Sequence, residues 1–118
     1  MRFSLLLKAL SFILKRASRK DEAFRHYIRN TTVRILITTE NRKRGRLFIF
    51  DRGKVTSKKG GHYDFDVALV WKNAKTGFQV MTDKSDQASF NAAAEGNLTV
   101  LGTSFYAQWF QDGLELIL

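Results

Sequence analysis

The sequence has no cysteine, no proline and only two histidines among its 118 residues. Without cysteine there is no disulfide, no thiolate nucleophile and no zinc site built on sulfur. Without proline, turns fall to Gly, Asn, Asp and Ser. His26 lies in the basic first part and His62 follows Gly60-Gly61, so the two have no common motif, and no nucleophile stands at motif spacing from either. Gly45, Gly53 and Gly60-Gly61 fit turns. The lysines behind them lead to no hydroxyl at phosphate-loop spacing. Asp64 and Asp66 offer either a carboxylate pair on one strand face or two solvated acids where a strand begins; the second is the general rule for surface carboxylates. No group of His or acids is dense enough for a metal. The sequence therefore offers no catalytic residue, no metal ligand and no cofactor motif, and it argues against an enzyme, although distant acids can still assemble a site that no local pattern displays.

Long apolar runs are also missing. Leu5-Leu6-Leu7 is interrupted by Lys8, and Lys15-Arg16 closes the stretch that follows. A bilayer span takes about 20 apolar residues, and no small-x-small cleavage site precedes Arg19-Lys20-Asp21-Glu22. This stretch is expected to be part of the folded protein rather than a leader or an anchor. The absence of cysteine fits a reducing cytoplasm, with a peripheral place at the inner membrane as the further expectation.

What the chain does have is apolar bulk and positive charge. Hydrophobic residues make up 44% of it and ten are Phe, enough for a core at a length that suits one domain over residues 1–118. The charge is lopsided. Met1 to Gly60 carries 17 Lys/Arg against 4 Asp/Glu, whereas Gly61 to Leu118 carries 3 against 7. Such a field draws an anionic surface to the first half; a membrane and a nucleic acid both qualify.

The periodicity predicts a basic amphipathic helix within residues 1–29, running from about Phe3 to Ile28. Phe3, Leu6, Leu7, Leu10, Ile13, Leu14 and Ala17 share one stripe, which Phe24 and Ile28 continue. Leu5 and Phe12 fall outside the stripe, beside Lys8, Lys15, Arg16 and Arg19. Either they are exposed strays or they meet a second surface, with a membrane, a partner and a ligand as the choices. Residues 30–118 hold the sheet and the remaining helices. Val33, Ile35 and Ile37 alternate as in a strand. Gly45 to Phe50 is apolar at nearly every position and should be covered on both faces. Asp51-Arg52-Gly53 turns into a returning strand, Lys54 to Lys58. A fourth strand, with Phe65, Val67, Leu69 and Trp71 alternating, gives way to a short helix from Ala74 to Met81. A second helix starts near Ser85 and stops near Gly96. Asn97 to Gly102 is a fifth strand, and Thr103 or Ser104 can cap a last helix that Gly113 ends or bends. Leu114 to Leu118 is too apolar for a frayed tail and should be docked. The grouping predicts an α+β layer, a five-stranded mixed sheet with helices covering one side.

From Thr32 onward the order of segments resembles the sterol carrier protein-2 family. Three stretches carry the resemblance: Gly45 to Val55 (apolar strand, tight turn and return), Asp66 to Lys72 (a strand opened by Asp and followed at once by the helix with Phe78), and Phe90 to Gly102 (helix, Gly turn, strand and closing Gly). Their order and spacing, rather than any one piece, make the match. The resemblance implies an apolar tunnel that takes sterols, fatty acyl groups or related lipids, without catalysis. It makes Phe78, Met81, Phe90, Leu98, Val100, Phe105, Trp109 and Phe110 candidates for the tunnel wall; the competing reading is that these side chains pack on one another and leave no void. Leu5, Lys8, Phe12, Lys15, Arg16 and Arg19 would face the membrane. The long basic helix departs from the family, as does the ending Leu116-Ile117-Leu118, which lacks the peroxisomal tripeptide of some members. Bacterial members that resemble accessory factors for isoprenoid quinone synthesis suit a basic, standalone protein better. Two alternatives remain open: a small structural subunit that docks through Leu5, Phe12 and the apolar C-terminus, and a nucleic-acid binder. The second rests on Arg42-Lys43-Arg44, Lys58-Lys59 and a stacking role for Phe48 and Phe50; it is disfavoured because those rings lie in a strand apolar on both faces.

Overall fold

The computed structural model describes residues 2–83 and 91–118. The elements in chain order are α1 (Arg2–Lys20), α2 (Glu22–Ile28), β1 (Thr32–Thr39), β2 (Gly45–Asp51), β3 (Lys54–Lys59), β4 (Val67–Trp71), α3 (Ala74–Asp83), β5 (Leu98–Gly102) and α4 (Ser104–Glu115). A helical stretch also covers residues 91–94. The five strands form one sheet in the order β3-β2-β1-β4-β5. The β1–β4 pair is parallel and the other three are antiparallel, so the sheet is mixed, as expected.

The predicted single helix is two. Asp21 adopts an extended conformation (φ −96°, ψ 112°), and its carboxylate accepts the Phe24 N–H at 2.9 Å, which starts α2 afresh. The stripe on α1 is also slightly rotated from the expected one. Phe3, Leu7, Leu10, Leu14 and Ala17 are buried, but Ile13 is exposed at the margin and Ser11 is buried in its stead. Burial of that hydroxyl is tolerated because it hydrogen-bonds the Ser57 hydroxyl on β3.

Strand alternation divides the apolar side chains between two faces. Val33, Ile35 and Ile37 of β1, Phe48 and Phe50 of β2, Val55 of β3, and Val67 and Trp71 of β4 meet α1, α2 and α4 in one core. Leu36, Leu47, Ala68 and Val70 point the other way, where Ile49, Tyr63 and Phe65 pack on them. Helices therefore cover one side, and the link between β3 and β4 covers part of the other. That link (residues 60–66) passes from one flank of β1 to the other, because β4 lies beyond β1 from β3. It is pinned at both ends: the Gly60 N–H donates to the Gly45 carbonyl at 2.9 Å, and the Asp66 N–H to the Arg34 carbonyl at 2.9 Å. Phe65, expected within the fourth strand, belongs to this strap instead.

Asp66 is the joint that sets the last helix. Its carboxylate accepts the Arg34 N–H at 2.7 Å, and its carbonyl accepts the Thr103 N–H at 2.9 Å. Asp64 and Asp66 are both exposed where β4 begins, as the second reading expects, and the Asp66 carboxylate in addition ties β1 to β4. Gly102 fits against it at φ +83°, where a Cβ would lie 2.3 Å from the Asp66 carbonyl oxygen. Thr103 then precedes α4 without a side-chain capping bond. Gly113 does not end α4. It is buried inside the helix, where a Cβ would come to 3.0 Å from the Tyr27 ring. The C-terminus is half docked: Leu114 and Ile117 pack on the core, while Leu116 and Leu118 are exposed.

Candidate apolar ligand site

The eight candidate wall residues do not share one environment. Phe110 is buried, 6.0 Å centroid to centroid from Phe48 and 6.1 Å from Phe50. Trp109 is half-buried, edge-on to Phe50 at 5.1 Å and stacked on Tyr27 at 5.3 Å. These rings fill the space beneath α4 and act as core. Tyr27 fixes the stack by donating its hydroxyl to the Trp109 carbonyl at 2.7 Å. Partial burial, and then the charge of Asp112, hold the Tyr27 hydroxyl above its usual pKa of 10.0.

The other candidates lie on α3, β5 and the start of α4. Phe78 and Met81 on α3 and Leu98 on β5 are half-buried against the core. Leu98 pairs with Trp71 and Val100 with Leu69, so Leu98 and Val100 face the helix side two residues apart. Val100 is nevertheless 36% exposed, and Phe105 at the start of α4 is 68% exposed. Phe105 leans on Tyr106 at 5.4 Å, and Tyr106 on Trp109 at 6.4 Å, which leads from the open flank to the packed rings. Phe90 lies outside the described residues. Two features of this flank escaped sequence reasoning. Tyr106 joins it, and Trp71 is buried beneath it with no acceptor for its Nε1–H among the described residues.

Gly77 lets α3 close this layer. It is buried, and a Cβ on it would lie 2.7 Å from Phe3 Cε1 and 3.0 Å from Trp71 Cγ. The close approach holds Phe78 beside the N-terminus of α1, where the Arg2 guanidinium sits 5.8 Å from the ring centroid.

The six residues expected at a membrane all lie on α1. Leu5 is 64% and Phe12 67% exposed, with Lys8, Arg16 and Arg19 exposed and Lys15 half-covered. Leu5 and Phe12 are seven residues apart, about two turns, and so line up on the outer face. No helix among the described residues is long and apolar enough to cross a membrane. The stacking role of Phe48 and Phe50 is excluded, since both are fully buried in the core.

No family model and no curated protein matches the sequence. Solved structures do match the fold. A structure described as "UbiJ-SCP2 Ubiquinone synthesis protein" superposes with a TM-score of 0.67 at 15% identity, over 96% of this chain and 91% of that one. The apo form of sterol carrier protein 2 from Yarrowia lipolytica gives 0.60 at 15% identity, over 92% and 88%. The same architecture occurs inside an enzyme. The double mutant of the sec-alkyl sulfatase PisA1 matches with a TM-score of 0.58 at 16% identity, over 79% of this chain but 14% of that one. These likenesses show that the chain has the fold of the sterol carrier protein-2 domain.

Proposed function

We propose that the protein is a non-catalytic carrier that holds a lipid or similar apolar molecule on the flank formed by α3, β5 and the start of α4. The observation that carries this reading is the uneven packing of one layer. Trp109 and Phe110 are meshed with the core, whereas Phe78, Met81, Leu98, Val100 and Phe105 are left half-covered or open. Apolar surface of this kind gains about 25 cal/mol for each Å² that a guest removes from water, and such sites are lined mainly by aromatic and aliphatic groups. Sterols, fatty acyl chains and isoprenoid quinone intermediates are the guest classes that fit. Among the described residues the Trp71 Nε1–H has no acceptor, which favours a guest with an oxygen, because a buried donor without a partner costs about 1–3 kcal/mol. The outer face of α1 would bring the carrier to an anionic leaflet, with Leu5 and Phe12 entering the interface and each Lys or Arg near the surface contributing about 1 kcal/mol.

Native mass spectrometry after gentle extraction tests the first part. A co-purified lipid is expected, and Val100→Glu with Phe105→Glu should release it. A clean apo mass, followed by no uptake of fatty acid, sterol or prenylated quinone, would overturn the carrier reading.

A further inference from the structure

A second open space lies away from the apolar flank: a cleft of about 1170 Å³ at the other edge of the sheet, between the end of α1, the length of α2 and the β2–β3 turn. Six cations line it: Lys15, Arg19, Arg25, Arg29, Arg52 and Lys54. Glu22 is the lining acid, and His26 also reaches the rim. The ion pair described among these groups is Arg52–Asp51 at 3.4 Å, both side chains well exposed. The remaining surface of the cleft includes Ala23, Tyr27, Val55 and Leu116, so the lining mixes cations with apolar side chains.

The cations come from three separate elements held in fixed relation. The Arg52 N–H donates to the Thr31 carbonyl at 2.9 Å, which locks the hairpin turn onto the link between α2 and β1. A Cβ on Gly53 would lie 4.0 Å from Arg29 Cα, so the turn lies close against the end of α2. Arg52 itself sits at φ +46°, a left-handed position that Asn, Asp or Gly would occupy more cheaply. The fold thus spends backbone energy to keep a guanidinium at the mouth of a cleft already rich in like charge.

We propose that this cleft binds a phosphate group, either free or as the headgroup of an amphiphile whose first carbons rest on Val55 and Leu116. Arginine forks match phosphate oxygens two at a time, and several converging cations favour a multiply charged anion over a single carboxylate. A nucleic-acid strand fits less well. It wants exposed aromatic rings for its bases, and of the two rings lining the cleft Tyr27 is already stacked on Trp109, which leaves the His26 imidazole. The proposal does not depend on the apolar flank, which lies toward the β5 edge.

The test is a titration of the full chain followed by amide NMR shifts. The probes are inorganic phosphate, dihexanoylphosphatidic acid (a glycerol lipid with a phosphate monoester head) below its micelle concentration, the zwitterionic choline analogue, and a short single-stranded RNA. Saturable shifts at Arg25, Arg29, Gly53 and Lys54 are expected with phosphate or the glycerol lipid. The double variant Arg29→Gln/Arg52→Gln should weaken that binding about tenfold or more. Lys43→Gln/Lys58→Gln removes the same charge at the far end of the hairpin and should leave it unchanged. Tighter binding of the glycerol lipid than of phosphate identifies a headgroup, and equal binding identifies free phosphate. The proposal is overturned if neither probe saturates, if both double variants weaken binding equally, or if the RNA binds tighter than both.

Discussion

Gly77→Ala sets two effects of opposite sign against each other. Gly77 is inside α3, so alanine gains about 1 kcal/mol of helix propensity. The new methyl would lie 2.7 Å from Phe3 Cε1 and 3.0 Å from Trp71 Cγ, whereas carbon contacts are comfortable only from about 3.5 Å. Neither ring can step aside, since Phe3 is 1% and Trp71 3% exposed between α1, α3 and β4. Overpacking of this sort costs about 1–3 kcal/mol. Because the atoms in the way are buried ring atoms, the larger part of that range applies and the net is a loss of about 1–2 kcal/mol. With an unfolding entropy of about 2.1 cal/mol/K per residue, the midpoint of thermal unfolding should fall by about 4–8 °C. Circular dichroism melts of the variant and its parent measure this, with Gln79→Ala on the exposed side of the same helix expected to stay within about 0.5 kcal/mol. A Gly77→Ala protein that melts at or above the parent would show that propensity wins and that α3 is not pressed onto those rings.

Other substitutions probe separate features. Arg52→Asn relieves the left-handed strain and should raise stability by about 0.5–1 kcal/mol in denaturant titration, since the exposed pair with Asp51 is worth little. The Tyr27 hydroxyl, held above its ordinary pKa, makes the native state bind its proton more tightly than the unfolded chain does. Its contribution is therefore intact below pH 10.0 and is lost as pH rises from there through the higher native value. Tyr27→Phe should remove that alkaline slope in parallel melts, while costing about 1 kcal/mol at neutral pH for the lost bond to the Trp109 carbonyl. Phe12→Glu should weaken sedimentation with anionic vesicles about tenfold or more, with no change in melting, because the ring is 67% exposed in the folded protein.

Much of the architecture is readable from local pattern, because alternation in β1, β2 and β4 and the stripe on α1 report directly on which side chains need cover. The β2 strand is the clearest instance: its unbroken apolar run means two covered faces, and Leu47 and Phe48 are buried on opposite sides. What covers the second face is not readable, since a seven-residue strap has no period, and Phe65 mimics the alternation of the strand it precedes. The helix break at Asp21 was marked by a capping residue among strong helix formers, and the stripe masked it by continuing in phase into Phe24 and Ile28. Gly113 illustrates the opposite confusion. A glycine near the end of a helix signals a stop, and only the tertiary contact with Tyr27 shows that it is there to let a ring approach. For the candidate site, residue type identified the greasy side chains but could not separate Trp109 and Phe110, which mesh, from Val100 and Phe105, which do not. The basic cleft depends on three segments distant in sequence, and the lopsided charge was its only trace.

The β5 strand forms one border of the sheet, and Thr99, Val100, Leu101 and Gly102 on it are all exposed. Among the described residues no strand pairs beyond it, and a border of this composition invites another strand from a second molecule. On the proposed carrier reading, a guest resting on Val100 and Phe105 would blunt that tendency, so the empty protein should clump sooner than the loaded one. Supply of the guest would then govern how long the protein survives in dispersed form.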